Sequence, residues 1–153
     1  MKLSAILDPM LILPNLEAAT QNEAFEEMAR LLAPKIGIDP AKIALALSER
    51  EATRSTALER TGVAIPHARL NGIANFTLLV ARSKAGIDFK AEDGSPTNLF
   101  FIIVGPENQP GEYLKLLARV AMLCHSEEFR SRLLKAPSKE EIRDEIARED
   151  AKG

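Results

Sequence analysis

Cysteine, excess charge and long apolar runs are scarce in this 153-residue sequence, and each scarcity excludes a class of protein. The single cysteine has no partner for an internal disulfide, so we expect a reducing, cytoplasmic compartment. The 20 basic and 22 acidic side chains give a net charge of -2. This balance lacks the basic excess that binds a phosphate backbone, so we expect no nucleic-acid partner. No apolar run approaches the ~20 residues that cross a bilayer, and we expect a protein that is not inserted in a membrane.

Motifs for binding nucleotides and metals are also missing. The sequence has neither a Walker pattern nor a GxGxxG loop, and no Cys, His, Asp and Glu residues have the spacing of metal ligands. Cys124 and His125 are neighbours, but adjacent residues of a helix point about 100° apart and do not form a dyad. We therefore expect a core thiol, a histidine near a helix C-terminus, and neither a metal nor a cofactor.

The apolar pattern predicts one α/β domain over residues 1–153. A short strand at residues 10–13 precedes two helices. The first is capped by Thr20 and stops at Gly37, and the second starts near Pro40. An irregular stretch follows at residues 53–60, and then come three strands, at residues 62–65, 76–81 and 99–104.

The strand at residues 99–104, LFFIIV, is the most apolar window of the chain, and such a run suits a central strand buried on both faces. Both faces of its sheet then need helices, and the C-terminal third supplies three. Ser126 and Ser138 are expected to cap the last two. The first of the three is expected to be largely buried, because it is apolar around most of its circumference. Its stripe consists of Leu114, Leu117, Ala118, Ala121 and Cys124, and Leu116, Val120 and Leu123 widen it. The prediction is a three-layer α/β/α fold with a central mixed sheet.

The stretch TGVAIPHARL contains one of the two histidines, His67, directly after a proline. Pro66 has no N–H to continue a strand, so we expect it to end the strand and leave His67 at the carboxyl edge of the sheet. Two interpretations are open. His67 is a solvated turn residue, or it is a nucleophile, because a neutral imidazole attacks phosphorus near pH 7.

A phosphorylated histidine needs a cation to balance the phosphoryl oxygens, and arginine does this best through its planar fork of donors. Arg50 lies on the same face of the second helix as Ile43 and Leu47, at its C-terminal end. It is the candidate partner of His67. The alternative is an ordinary solvated surface charge.

The segments SEREATRST and GVAIPHARL resemble the active-site region of the enzyme IIA domains of the bacterial sugar phosphotransferase system, in the fructose/mannitol class that includes nitrogen-regulatory members. The matching residues are Glu49-Arg50-Glu51, Ser55-Thr56 and Gly62 to His67. The resemblance continues through residues 85–106 and the C-terminal helices, and so covers nearly the whole chain.

The resemblance implies a phosphocarrier in which His67 accepts a phosphoryl group from a histidine phosphocarrier protein and Arg50 helps to hold it. Thr56 and Tyr113 would line the same pocket. The downstream partner would be an enzyme IIB domain, an ion transporter or a kinase. Since no IIB or permease domain accompanies these residues, we expect a regulatory role rather than dedicated sugar uptake.

The sequence departs from the family pattern at two places. Tyr113 stands where the family usually has a second histidine, and a phenol donates a hydrogen bond but brings no positive charge. The loop STALERTG lacks two glycines that would let the backbone approach a phosphate. These departures leave an alternative function open: a binding module of the same fold that regulates a membrane transporter or kinase and is never phosphorylated.

Overall fold

A computed structural model describes residues 2–153, and it adds two short strands, at residues 57–58 and 67–70, to the helices and strands that the sequence pattern predicts. A short 3-10 turn at Leu3–Ala5 precedes the first strand. The strands are β1 (Leu7–Leu13), β2 (Ala57–Leu58), β3 (Val63–Ala64), β4 (His67–Leu70), β5 (Thr77–Ile87) and β6 (Thr97–Pro106). The helices are α1 (Gln21–Ile36), α2 (Pro40–Thr53), α3 (Pro110–Cys124), α4 (Glu127–Lys135) and α5 (Lys139–Ala151).

The six strands form one mixed sheet in the order β1-β5-β6-β3-β2, with β4 also paired to β6. Strand β6 is central: it runs antiparallel to β5 on one side and parallel to β3 and β4 on the other. Strand β1 is parallel to β5, and the short β2 is antiparallel to β3. The mixed character that the sequence predicts is confirmed.

The two faces of β6 bury its side chains in separate cores, because successive residues of a strand point to opposite sides. Leu99, Phe101 and Ile103 pack with α3, α4 and α5. Phe100, Ile102 and Val104 pack with α1 and α2 on the other face. The predicted three-layer α/β/α arrangement is therefore confirmed.

The predicted helix caps are present. The Thr20 hydroxyl accepts a hydrogen bond from the Glu23 N–H at the start of α1, and Gly37 ends that helix in the left-handed region with φ 72°. Ser126 and Ser138 cap α4 and α5 in the same way as Thr20. Each cap acts within four residues, which is why the sequence alone predicts it.

The predicted burial of α3 is correct only in part. Leu116, Val120, Leu123 and Cys124 are buried as predicted, together with Tyr113, whereas Leu117 and Ala121 are half-buried and Ala118 is exposed. Leu114 is 65% exposed and Met122 is 58% exposed. Because α3 carries apolar residues on most of its circumference, its sequence does not determine which of them face the sheet. An apolar face is therefore left at the surface.

Cys124 and His125 behave as the sequence predicts. The Cys124 thiol is buried, and burial raises its pKa to about 12. His125 is exposed and lies directly after the last residue of α3. The thiol is a core group with no reactive partner in this histidine.

Candidate functional site

A cavity of about 940 Å³ opens beside His67, between the last turns of α2, the start of β4 and the first turns of α3. The polar and charged residues that line it are Glu49, Arg50, His67, Arg69, Glu107 and Tyr113. Its apolar wall includes Ala46, Pro110, Leu114 and Leu117. The cavity thus brings His67, Arg50 and Tyr113 together, three residues that lie far apart in the sequence.

His67 opens a strand instead of following one. Strand β3 stops at Ala64, but the Pro66 carbonyl accepts a hydrogen bond from the Ile103 N–H at 3.0 Å. Strand β4 then resumes parallel pairing with β6 at His67. The proline interrupts the ladder for two residues without ending the extended path. The prediction that the strand ends at Pro66 is therefore incomplete, and the solvated-turn interpretation is wrong, because His67 is only 8% exposed.

The hydrogen bond at Nδ1 sets the tautomer of His67. Nδ1 lies 2.7 Å from the Ile65 carbonyl oxygen, which accepts hydrogen bonds and donates none. Nδ1 therefore carries the ring proton, and a neutral ring has its lone pair on Nε2. Burial lowers the pKa of His67; the Nδ1 hydrogen bond opposes this effect and the charge of Arg50 adds to it. The ring is consequently neutral at pH 7 and available as a nucleophile.

Arg50 is held at the end of α2 by its own chain. Its Nη1 donates to the Arg54 carbonyl at 3.0 Å and to the Thr53 hydroxyl at 3.3 Å. Both bonds use one nitrogen of the guanidinium, so the remaining N–H donors are free to face the cavity. The predicted pairing of Arg50 with His67 in one site agrees with this geometry.

A second arginine, Arg69, lines the same cavity and was not singled out from the sequence. It lies two residues after His67 in β4, so both side chains are on the same face of the strand. Its guanidinium carbon is 5.8 Å from the centre of the Tyr113 ring, within cation–π range. Within residues 2–153, no carboxylate forms an ion pair with Arg69. The spacing of two residues between His67 and Arg69 indicates a shared strand face, but only if a strand is predicted at residues 67–70, and the sequence pattern predicts none there.

Tyr113 connects these groups from the first turn of α3. Its ring meets the His67 ring edge-on with centroids 5.5 Å apart, and the Phe76 ring stacks on it at 6.5 Å. Gly105 makes room for Phe76, since a Cβ at that position would overlap the phenyl ring. Burial raises the pKa of the Tyr113 phenol well above its usual range, so it stays a neutral hydrogen-bond donor.

Thr56 is not among the residues that line this cavity. Its N–H donates to the Glu51 carboxylate at 2.6 Å, and its hydroxyl donates to the same carboxylate at 2.9 Å. Glu51 is only 6% exposed. Burial raises the pKa of the Glu51 carboxyl, and the bonds from Thr56 oppose that rise. The structure thus brings three of the four predicted site residues to the cavity and pairs the fourth with a buried carboxylate.

The cavity contains two acidic residues, Glu49 and Glu107, beside its two arginines. Across residues 2–153, no three His, Cys, Asp or Glu side chains gather in a way that could hold a metal ion. The same part of the chain has no helix with the length and apolar character that crossing a membrane requires.

Comparison with known proteins identifies the class to which this fold and site belong. The family model described as "Phosphoenolpyruvate-dependent sugar phosphotransferase system, EIIA 2" matches residues 5–149. The chain belongs to this enzyme IIA type 2 family, as the sequence resemblance predicts.

Individual relatives refine the comparison. The chain is 33% identical over 133 residues to the nitrogen regulatory protein of Bradyrhizobium diazoefficiens, covering 87% of this chain and 86% of that protein. It is 34% identical over 152 residues to the fructose-specific EIIABC component of Bacillus subtilis, covering 98% of this chain but only 24% of that longer protein. The crystal structure of nitrogen regulatory protein IIA-Ntr from Neisseria meningitidis superposes with a TM-score of 0.89 at 33% identity, covering 94% of this chain and 98% of that one.

Proposed function

We propose that this protein is a phosphocarrier of regulatory type that accepts a phosphoryl group on Nε2 of His67 from a histidine phosphocarrier protein. One observation carries the proposal: a buried, neutral imidazole whose Nδ1 is bonded to the Ile65 carbonyl, in a cavity that also holds Arg50 and Arg69. Membership of the enzyme IIA family and the similarity to nitrogen regulatory proteins support it.

The transfer needs no further co-reactant. The Nε2 lone pair of His67 forms the new P–N bond while the P–N bond of the phosphorylated donor histidine breaks, and that electron pair returns to the donor ring. The His67 ring keeps its Nδ1 proton and gains positive charge, which the Ile65 carbonyl stabilises. Arg50 and Arg69 offset the charge of the phosphoryl oxygens, and the Tyr113 phenol donates to one of them.

The phosphoryl group then passes to a cysteine of an enzyme IIB domain, or its presence switches the binding of an ion transporter or kinase. Either route requires partner proteins to reach His67 through the cavity. The exposed apolar face of α3 at the cavity rim, with Leu114 65% exposed, suits such docking. We place the protein in the cytoplasm, where these partners operate.

Intact mass spectrometry tests the proposal. The protein is incubated with phosphoenolpyruvate, enzyme I and the histidine phosphocarrier protein, and we expect one acid-labile phosphoryl adduct. His67→Ala removes the adduct. His125→Ala is the matched control, because it removes the other histidine of the chain, which is exposed beyond α3, and it retains the adduct.

The alternative function, a binding module that is never phosphorylated, is favoured by a different observation. His67 is only 8% exposed, and the Tyr113 ring packs edge-on against its imidazole. On this alternative the wild-type protein gains no phosphoryl group from its own relay proteins, and His67→Ala still binds the transporter or kinase. That pair of results would refute the phosphocarrier proposal.

A further inference from the structure

Glu51 is a buried carboxylate in an unfavourable position. It lies in the last turn of α2, where the negative end of the helix dipole disfavours an anion. It is 6% exposed, and it has no ion-pair partner within 4.0 Å in the part of the chain from residue 2 onward. A buried charge without an ion pair is costly. Its presence indicates that the hydrogen bonds of Glu51 serve the structure or the function.

Both oxygens of the Glu51 carboxylate bind one residue, Thr56. Oε2 accepts the Thr56 N–H at 2.6 Å, and Oε1 accepts the Thr56 hydroxyl at 2.9 Å. These two bonds bring residue 56, five positions beyond Glu51, back against the end of α2. The start of the loop before β2 therefore has one defined position relative to that helix.

The Thr56 backbone then connects this pair to the functional site. Its carbonyl accepts a hydrogen bond from the Ile65 N–H at 3.2 Å, next to the β2–β3 pairing of Ala57 with Ala64. The carbonyl of the same Ile65 binds Nδ1 of His67 at 2.7 Å. Ile65 is thus held on its N–H side by Thr56, and its carbonyl fixes the tautomer of His67.

We propose that Glu51 and Thr56 are positioning residues for His67. They fix residue Ile65 so that its carbonyl keeps the ring proton on Nδ1 and directs Nε2 to the cavity. Neither side chain lines the cavity, and so both act through the backbone of Ile65. The consequence for phosphoryl transfer rests on the proposed function, whereas the effect on the tautomer does not.

The tautomer is measured on the unphosphorylated protein. In a His125→Gln background His67 is the sole histidine, and the nitrogen chemical shifts of its ring report which nitrogen carries the proton at about pH 8, where the ring is neutral. We expect one tautomer, protonated at Nδ1, in the parent. In Thr56→Val and in Glu51→Gln we expect a mixture of both tautomers. Thr56→Ser keeps the hydroxyl and is expected to restore the single tautomer.

Thr61 provides the matched control. Its hydroxyl donates to the Leu58 carbonyl at 2.7 Å and accepts from the Val63 N–H at 3.1 Å, within the same β2–β3 segment but outside the path to His67. Thr61→Val therefore loosens the loop and leaves the tautomer unchanged. An equal tautomer shift in Thr61→Val, or no shift in folded Thr56→Val and Glu51→Gln, overturns the proposal. Amide spectra confirm folding, and Thr56→Val, the milder change, decides the result if Glu51→Gln does not fold.

Phosphoryl transfer gives an independent second measurement. We expect Thr56→Val to slow phosphorylation of His67 roughly 10- to 100-fold, the scale on which small misplacements of reacting groups reduce rates, and Thr56→Ser to recover most of the rate. If the parent itself accepts no phosphoryl group, the proposed function fails, and the tautomer measurement still decides whether Glu51 and Thr56 position His67.

Discussion

Arg69 is the residue whose role changes most once β4 is known. In the sequence it is one charge among 20 basic residues. In the structure it shares a strand face and a cavity with His67, and its guanidinium lies over the Tyr113 ring. It thereby supplies beside Tyr113 a positive charge that a phenol does not bring.

We predict that Arg69→Gln slows phosphoryl transfer to His67 roughly 10- to 100-fold, because a hydrogen bond to a charged group contributes about 1.5–3 kcal/mol. The free energy of unfolding should stay within about 0.5 kcal/mol, since the side chain is exposed. Single-turnover transfer and urea unfolding measure the two effects. Arg54→Gln is the control: it removes an exposed arginine just past the end of α2 that does not line the cavity. Equal rates for Arg69→Gln and the parent would contradict the prediction.

The candidate site is less predictable from sequence than the caps are, because its residues meet only through the sheet. The residues themselves indicate His67 and Arg50 as candidates, whereas Tyr113 is identified only through the family pattern. Glu51 matches the family pattern but has no predicted role, and the resemblance places Thr56 in the pocket. Their pairing depends on how the chain turns after α2, and no periodicity encodes that turn.

At the scale of elements, local signals in the sequence predict the helix ends well. The sequence does not determine which face of α3 is buried. Hydroxyl caps and the left-handed Gly37 depend on neighbours within a few residues, so the sequence specifies them. The face that α3 buries depends on the sheet and on α4 and α5, and several of its apolar faces satisfy a helical period. Strand β4 was missed for a related reason: a proline interrupts the ladder, and the parallel partner that restores it lies 36 residues away, at Ile103.

The prediction at the scale of elements concerns the exposed apolar face of α3. Leu114→Lys should leave the unfolding free energy within about 0.5 kcal/mol of the parent value, since Leu114 is 65% exposed. It should raise the KM for the phosphorylated carrier protein at least about fivefold, because it puts a charge into an apolar docking contact, and losing a dominant contact of an interface costs more than about 1 kcal/mol. Leu134→Lys, at a leucine of α4 that is 48% exposed and does not line the cavity, is the control. An unchanged KM for Leu114→Lys would place docking elsewhere.

At the scale of the whole molecule, Asp150 joins the two ends of the fold. It is 1% exposed, and its carboxylate accepts hydrogen bonds from Arg119 Nε at 2.8 Å and from the Ser4 N–H at 3.1 Å. Lys2 donates to its backbone carbonyl at 2.8 Å. Burial raises the pKa of Asp150, but the bonds from Ser4 and Arg119 and the nearby positive charges outweigh it and hold the pKa below its usual value.

We predict that Asp150→Ala lowers the free energy of unfolding at pH 7 by about 3–5 kcal/mol, because it leaves the Arg119 charge without its partner. A carboxyl with a lowered folded pKa stabilises above its unfolded pKa of about 3.9, and this contribution is lost as pH falls through the folded value. The difference between parent and variant should therefore shrink below about pH 4. Urea unfolding at several pH values measures it, and a difference that stays constant down to pH 2 would contradict the assignment.

The burial of Cys124 has a practical consequence for following this protein at work. A thiol with a pKa of about 12 in the core is almost never a thiolate near neutral pH and should not react with alkylating dyes in the folded state. A cysteine introduced by Met122→Cys, at a position 58% exposed on the outer face of α3, would then be the single labelling site. A fluorophore there would report partner arrival in real time without any change to the cavity residues.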